Sequence, residues 1–188
     1  IISNRASGYR WSGEGLTNGD FVAGSILSYG GGGIVSTALD MTKWAAAFDS
    51  EKIIKRSTIA QAWTPAKLKD GKTSGYGLGW GLESVNGHRE IGHSGGHITG
   101  FSSHLALYPD DKLAVVVLAN RTGVNAGRIA RRVAGLVIPA LVPQPPKPIE
   151  DKEPEVTALL RDCVARAAEG KLEADKFTPE CWSLFSAQ

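Results

Sequence analysis

Apolar positions along the chain change period several times, and each change marks an element. Behind Ser36-Thr37, the residues Leu39, Trp44, Ala47 and Phe48 recur at helical intervals, and Thr37 and Asp40 have capping-box spacing. A helix is expected over 37–49. A second, short helix is expected to start at Ser57-Thr58 and stop at Trp63, because Thr64 precedes Pro65 and is pushed out of the helical region. Tyr76-Gly77-Leu78-Gly79-Trp80-Gly81-Leu82 then alternates glycine with bulky apolar residues, the period of a strand with one bare face. Asn86-Gly87 is a strong type I′ hairpin signal, so 88–91 should run back antiparallel. Strands over 101–108 and 113–120 flank the turn Pro109-Asp110-Asp111-Lys112, and the second, nearly all apolar, reads as buried on both faces.

Over 124–141 the residues Ile129, Val133, Leu136, Val137 and Ala140 share a helical face, which should cover the sheet. The proline-rich run 142–148 reads as a stiff linker. Beyond it a helix is expected over 155–169, stopped by Gly170, and a last one from Thr178-Pro179-Glu180. The first 35 residues, ending in four consecutive glycines, read as a long loop. The pattern predicts an α+β fold: an antiparallel meander of at least three strands covered by a C-terminal helix. Its expected parts are a main domain over 1–141, a linker over 142–154 and a small helical appendage over 155–188.

Composition narrows the function classes. The 188 residues, 42% apolar and 21% charged, suffice for one real core. The formal charge is +2, and no run of five like charges occurs, so nothing calls for nucleic acid. The apolar stretches 113–119 and 136–141 fall far short of the ~20 residues that span a bilayer. The sequence opens Ile1-Ile2-Ser3 with no start methionine and no signal-peptide pattern, and reads as beginning within a longer protein. Cys163 and Cys181 are close enough in sequence to pair, or to be two separate buried thiols.

Only Gly92-His93-Ser94-Gly95-Gly96-His97 carries the residue types of catalysis. It fits the G-x-S-x-G nucleophile elbow letter for letter, with Ser94 as the nucleophile of an α/β-hydrolase. That elbow needs a following helix, then an acid and a later histidine, whereas the last histidine here is His104, ahead of every downstream acid. A metal site from His88, His93, His97 and His104 is poorly spaced, since strand residues of opposite parity diverge and no cysteine or nearby carboxylate completes a ligand pattern.

The third reading rests on four blocks in order: Gly33-Ile34-Val35-Ser36-Thr37-Ala38-Leu39-Asp40; Tyr76-Gly77-Leu78-Gly79-Trp80; Gly92-His93-Ser94-Gly95-Gly96 through Gly100-Phe101-Ser102-Ser103; and Tyr108-Pro109-Asp110 through Val115-Val116-Val117-Leu118-Ala119-Asn120. Together they resemble the class C β-lactamase-related serine hydrolases, which include D-alanyl-D-alanine carboxypeptidases, D-aminopeptidases and esterases. The resemblance covers roughly residues 5–141. It implies that His93-Ser94-Gly95 stands where the family carries K-T-G or H-x-G on a sheet strand. It also implies that His93 directs a donor at a substrate carboxylate or the catalytic tyrosine, and that Gly95 lets the strand lie close to the ligand. The Gly96 N–H would then be one of two oxyanion-hole donors, with Ser94 and His97 on the substrate side. Blander readings stay open: His93 as a hydrogen-bonded strand histidine, Gly95 and Gly96 as a bulge, and Ser94 as a surface hydroxyl.

The family nucleophile motif S-x-x-K is absent, for no serine here has lysine three residues later. Y-x-N is absent too, and Ser84-Val85-Asn86 fits S-x-N only inside the expected hairpin turn. The resemblance therefore implies a C-terminal part of such a domain, inactive by itself and completed by a missing N-terminal half. The substrate would be a small molecule or peptide, with no metal or cofactor. A non-catalytic module binding peptidoglycan or another ligand is the alternative. An exposed sheet face or edge would favour a homodimer, and enzymes of this type are periplasmic or extracellular.

Overall fold

The computed structural model describes residues 3–19, 30–142 and 148–186. Strand β1 (Tyr9–Trp11) pairs with β2 (Leu16–Asn18); helices α1 (Ala38–Ser50) and α2 (Arg56–Ala62) follow. Then come β3 (Gly81–Val85), β4 (His88–His97), β5 (Phe101–Tyr108) and β6 (Leu113–Ala119), which form one antiparallel sheet in that order. Helix α3 (Ala126–Ala134) closes this part. The chain divides into two compact units, Ile1–Gln144 and Pro145–Gln188, and the second holds α4 (Pro154–Ala168) and α5 (Pro179–Ser186). This is the α+β architecture that the pattern predicts, a meander with a helix packed on it.

The sheet has a core on each face. On one, Ala106, Tyr108 and Val115 pack with Ala130 and Ala134 of α3 and with Ile138 and Leu141. On the other, Ile91, Leu105 and Leu107 pack with Ala45 of α1, flanked by Met41, Phe48, Trp63, Trp80 and Leu82. Phe48 centres an aromatic cluster there, with ring centroids 5.2 Å from Trp44 and 5.4 Å from Trp80, both edge to face.

Local signals place the element ends. Thr37 caps α1 by accepting from Asp40 N at 3.1 Å, as its spacing predicts. Asn86 and Gly87 both take positive φ, at 51° and 86°, so the β3–β4 turn has the expected hand. Gly170 ends the α4 segment at φ 67°.

Several expectations are corrected. The loop expected at the start contains the β1–β2 hairpin, turned at Gly13 with φ 90° and tied to the end of β6 by Tyr9 N donating to Asn120 O at 2.9 Å. Helix α2 starts after Lys55 with no side-chain cap, in place of the Ser57-Thr58 cap. The alternating run 76–82 is not one strand: Gly77 N donates to Trp80 O at 2.8 Å and Gly79 turns at φ 79°, so β3 begins only at Gly81. Strand β6 is buried only at Val115, because it is an edge strand among the described residues and Leu118 stays 45% exposed.

The face expected for the helix after β6 is also reversed. Proline 139 cannot continue a helix and α3 is only nine residues long. The packed face is Ala126, Ala130 and Ala134, spaced i, i+4 and small enough for the helix to lie close to the sheet, while Ile129 and Val133 remain 42% and 45% exposed. Most of the expected linker core, 143–147, and the loop residues 20–29 lie outside the described residues. In the second unit, Cys163 and Cys181 are free thiols, so the possible pairing is not made.

The bare side of the glycine run does meet backbone: a Cβ on Gly77 would overlap the Ala62 carbonyl oxygen, whereas Gly79 faces open space. Gly79→Ala is expected to cost about 1–2 kcal/mol from φ strain alone, and Gly77→Ala more than that, because backbone must move. Urea unfolding of the two variants, compared at unchanged m, checks the order.

Candidate active site

The site is set by a mismatch in strand length. The ladder between β3 and β4 runs from Val85↔His88 to Gly81↔Gly92 and stops, but β4 continues to His97, paired on its other side with β5 from Ile91↔Leu107 to His97↔Phe101. From His93 to His97, β4 therefore has no strand partner on that side among the described residues, and alternate residues present N–H and C=O groups along this free edge. A cleft of about 250 Å³ opens there, lined by Tyr76, Glu83, Glu90, His93, Ser94 and His104 together with Gly81 and Gly92. His93, Ser94, Gly95 and Gly96 are all exposed.

Strand alternation puts His93 and Ser94 on opposite faces. The imidazole Nε2 of His93 lies 2.8 Å from the Tyr76 hydroxyl, with the rings edge to face at 5.9 Å. Ser94 Oγ lies 2.8 Å from His104 Nδ1, and the two residues are directly paired across β4 and β5. The His104 ring fills space that glycine leaves on both sides: a Cβ on Gly92 would come within 3.2 Å of Nε2, and one on Gly127 of α3 within 3.3 Å of Nδ1. Burial lowers the basicity of this imidazole.

This geometry disfavours the nucleophile-elbow reading of Ser94. The serine sits inside a strand instead of on a strand-to-helix turn, and among the described residues His104 Nε2 is buried with no hydrogen-bond partner and no acid orients it. The four histidines also do not converge. Apart from the pairs of His93 and His104, His88 Nδ1 meets Asp111 at 3.0 Å and His97 Nδ1 meets Thr99 Oγ1 at 2.8 Å. His97 thus serves the tight turn into β5, where Gly100 takes φ 95°.

The beta-lactamase family model matches residues 3–138, most of the first unit and more than half of the chain. The chain belongs to the beta-lactamase family. It is also similar to penicillin-binding protein 4* of Bacillus subtilis (strain 168), 30% identical over 93 residues that make up 49% of this chain. The match spans only 20% of that relative's length. Family membership makes this a serine-hydrolase-superfamily chain.

Of the site residues read from the sequence, His93, Ser94, Gly95 and Gly96 come together on this edge, and His93 and Ser94 line the cleft. Gly95 faces Ser103, whose Oγ a Cβ would crowd, while the Cβ position of Gly96 is open. Sequence reasoning missed Tyr76, His104 and Glu90 as cleft residues. Tyr76 was visible only as part of a family block, and the other two carry no motif.

Glu90 anchors the floor. It is 6% exposed and accepts from Tyr108 Oη at 2.6 Å and from Arg131 Nε and Nη2 at 3.1 and 2.9 Å; Arg131 also reaches Glu83 at 2.7 Å. Burial opposes ionisation of Glu90, but the bonds from Arg131 and Tyr108 outweigh it and hold the carboxyl below the ordinary glutamate value. Burial, reinforced by Glu90, in turn pushes the Tyr108 phenol above its usual range.

A depressed folded value means stability that is complete above pH 4.5, the ordinary glutamate value, and is lost as pH falls through the lower folded value. Glu90→Gln is expected to be less stable by about 1–3 kcal/mol at neutral pH, with a flatter acid limb. Urea midpoints from pH 7 downward check both the loss and the slope.

Proposed function

We propose that this chain supplies one wall of the active site of a serine hydrolase that cuts amide or ester bonds through an acyl-enzyme. In this reading His93 is the H-x-G histidine directing a hydrogen bond to the substrate, with Ser94 and His97 beside it. The Gly96 N–H is one of two oxyanion-hole donors, aimed at the tetrahedral intermediate. The observation that carries the reading is the edge of β4 from His93 to His97, which has no strand partner on the β3 side among the described residues, begins beside a cleft at His93 and Ser94, and is free of side chains at Gly95 and Gly96. A fixed N–H at such an edge stabilises charge that develops only in the transition state.

The nucleophile is supplied from outside these residues, since S-x-x-K and Y-x-N are absent from them. The same domain's N-terminal half is the partner proposed for this role. The 42% and 45% exposure of Ile129 and Val133, and the edge position of β6, support further association, including a second copy of the chain. Nothing in the cleft requires a metal or cofactor in this mechanism. No helix among the described residues is long and apolar enough to cross a membrane, and a periplasmic or extracellular location is proposed from the penicillin-binding relative. The missing motifs equally favour a second reading, a non-catalytic module that binds peptidoglycan-like ligands.

Incubated with a fluorescent penicillin or a p-nitrophenyl ester, the chain is expected to gain no acyl group on serine by intact mass. An adduct on any serine would overturn the division of labour. Joined to the segment encoded upstream, it is expected to acylate, and Gly96→Pro, which removes the N–H, should then lower kcat by ~10²–10³. Saturable binding of a peptidoglycan fragment without acylation in the joined protein would instead establish the binding module.

A further inference from the structure

We propose that Tyr76 is the positioning residue of His93, its phenol donating to imidazole Nε2 and so holding the ring proton on Nδ1. The inference deepens the reading of His93 as the pocket-wall donor and rests on it.

Tyr76 reaches His93 because backbone pairing delivers it there. Tyr76 is bridged antiparallel to Gly81, and Gly81 is paired with Gly92, the residue before His93. The bridge is held on every side: Leu82 N donates to Gly75 O at 2.8 Å, Ala66 N to Tyr76 O at 2.9 Å, and Gly77 N to Trp80 O at 2.8 Å. Ser74 Oγ also donates to Tyr76 O at 2.9 Å. The tyrosine backbone is thus fixed by the loop it belongs to, independently of His93. Its hydroxyl then meets Nε2 at 2.8 Å.

His93 needs such a partner more than an ordinary strand histidine does. It is exposed, it stands where β4 has lost β3 as a neighbour, and glycine flanks it at Gly92 and Gly95. Its hydrogen bond to Tyr76 is the ring's polar partner among the described residues. Neutral imidazole has one donor and one acceptor nitrogen, and the partner of one decides the role of the other. A phenol is a strong O–H donor and a weak acceptor, whereas an unprotonated imidazole nitrogen is a strong acceptor, so O–H to Nε2 is the favoured direction. Nδ1, which has no hydrogen-bond partner among the described residues, then keeps its proton as the donor available to an acyl-group oxygen. The other three histidines have different partners, Asp111, Thr99 and Ser94, so the pairing is particular to His93.

The test uses long-range ¹H–¹⁵N spectra of the imidazoles in the chain and in Tyr76→Phe, at a pH well above the ordinary histidine value of about 6.5. The wild-type His93 is expected to show the Nδ1–H tautomer. In Tyr76→Phe the Nε2–H form should become dominant, with the His88 and His97 signals unmoved as the sign of an intact fold. A wild-type His93 with its proton on Nε2 would overturn the proposal without any variant, and so would an identical pattern in Tyr76→Phe. The spectra need no turnover. If His93→Ala leaves hydrolysis by the joined protein unchanged, the pocket-wall reading falls and the spectra still stand; if only the spectra fail, His93 keeps its role and Tyr76 loses its own.

Discussion

Every chemical feature of this chain depends on the unequal pairing of β4. An antiparallel strand normally satisfies its backbone on both sides, and a bare edge invites unwanted pairing. Here β5 accompanies β4 to His97, but β3 leaves it at Gly92. The departure is enforced by the chain before Gly81, which turns at Gly77 and Gly79 instead of extending the ladder. What remains is a short, rigid edge, held in place by full pairing on its far side. A donor aimed at a transition state must not move when charge appears, and a strand anchored on one side meets that requirement.

Both faces of the sheet carry an apolar core, but only the α3 face adds a polar network to it. Below α3 lies a polar network, with Glu90 buried among Tyr108 and Arg131 and His104 set between Gly92 and Gly127. Against α1 lies an apolar layer of Ile91, Leu105 and Leu107 under the aromatic cluster around Phe48. A buried carboxylate is tolerable only when it is fully hydrogen-bonded, and the paired guanidinium and phenol achieve this. The network sits two residues from Gly92 and so braces the strand just before its free edge begins. Ser94 and His104 belong to this bracing face: among the described residues Nε2 has no partner, so the pair lacks the third member that would make it a catalytic relay.

Much of the fold was legible because its signals are local. The Thr37 cap, the Asn86-Gly87 turn, the strand at 101–108 and the stop at Gly170 each depend on neighbours a few residues away, and each stands where the sequence places it. The errors share a cause. The alternation over 76–82 imitates a strand, but Gly77 is pressed against the Ala62 carbonyl, a contact between residues fifteen positions apart that no period records. For the helix after β6, the apolar period points to the larger side chains as the core face. The sheet instead takes the alanines, whose small side chains let the helix lie close, while Ile129 and Val133 stay largely exposed.

By itself the sequence determined the family, the meander and the position of the His93 segment on a strand, because motif spacing and side-chain period survive without knowledge of distant contacts. Only the tertiary structure decided which strand edge is left without a partner among the described residues, that Tyr76 meets His93, and that Ser94 pairs with His104 on the other face. Those outcomes depend on which backbone groups find partners across the sheet, and pairing between remote segments is fixed only when the whole ladder closes.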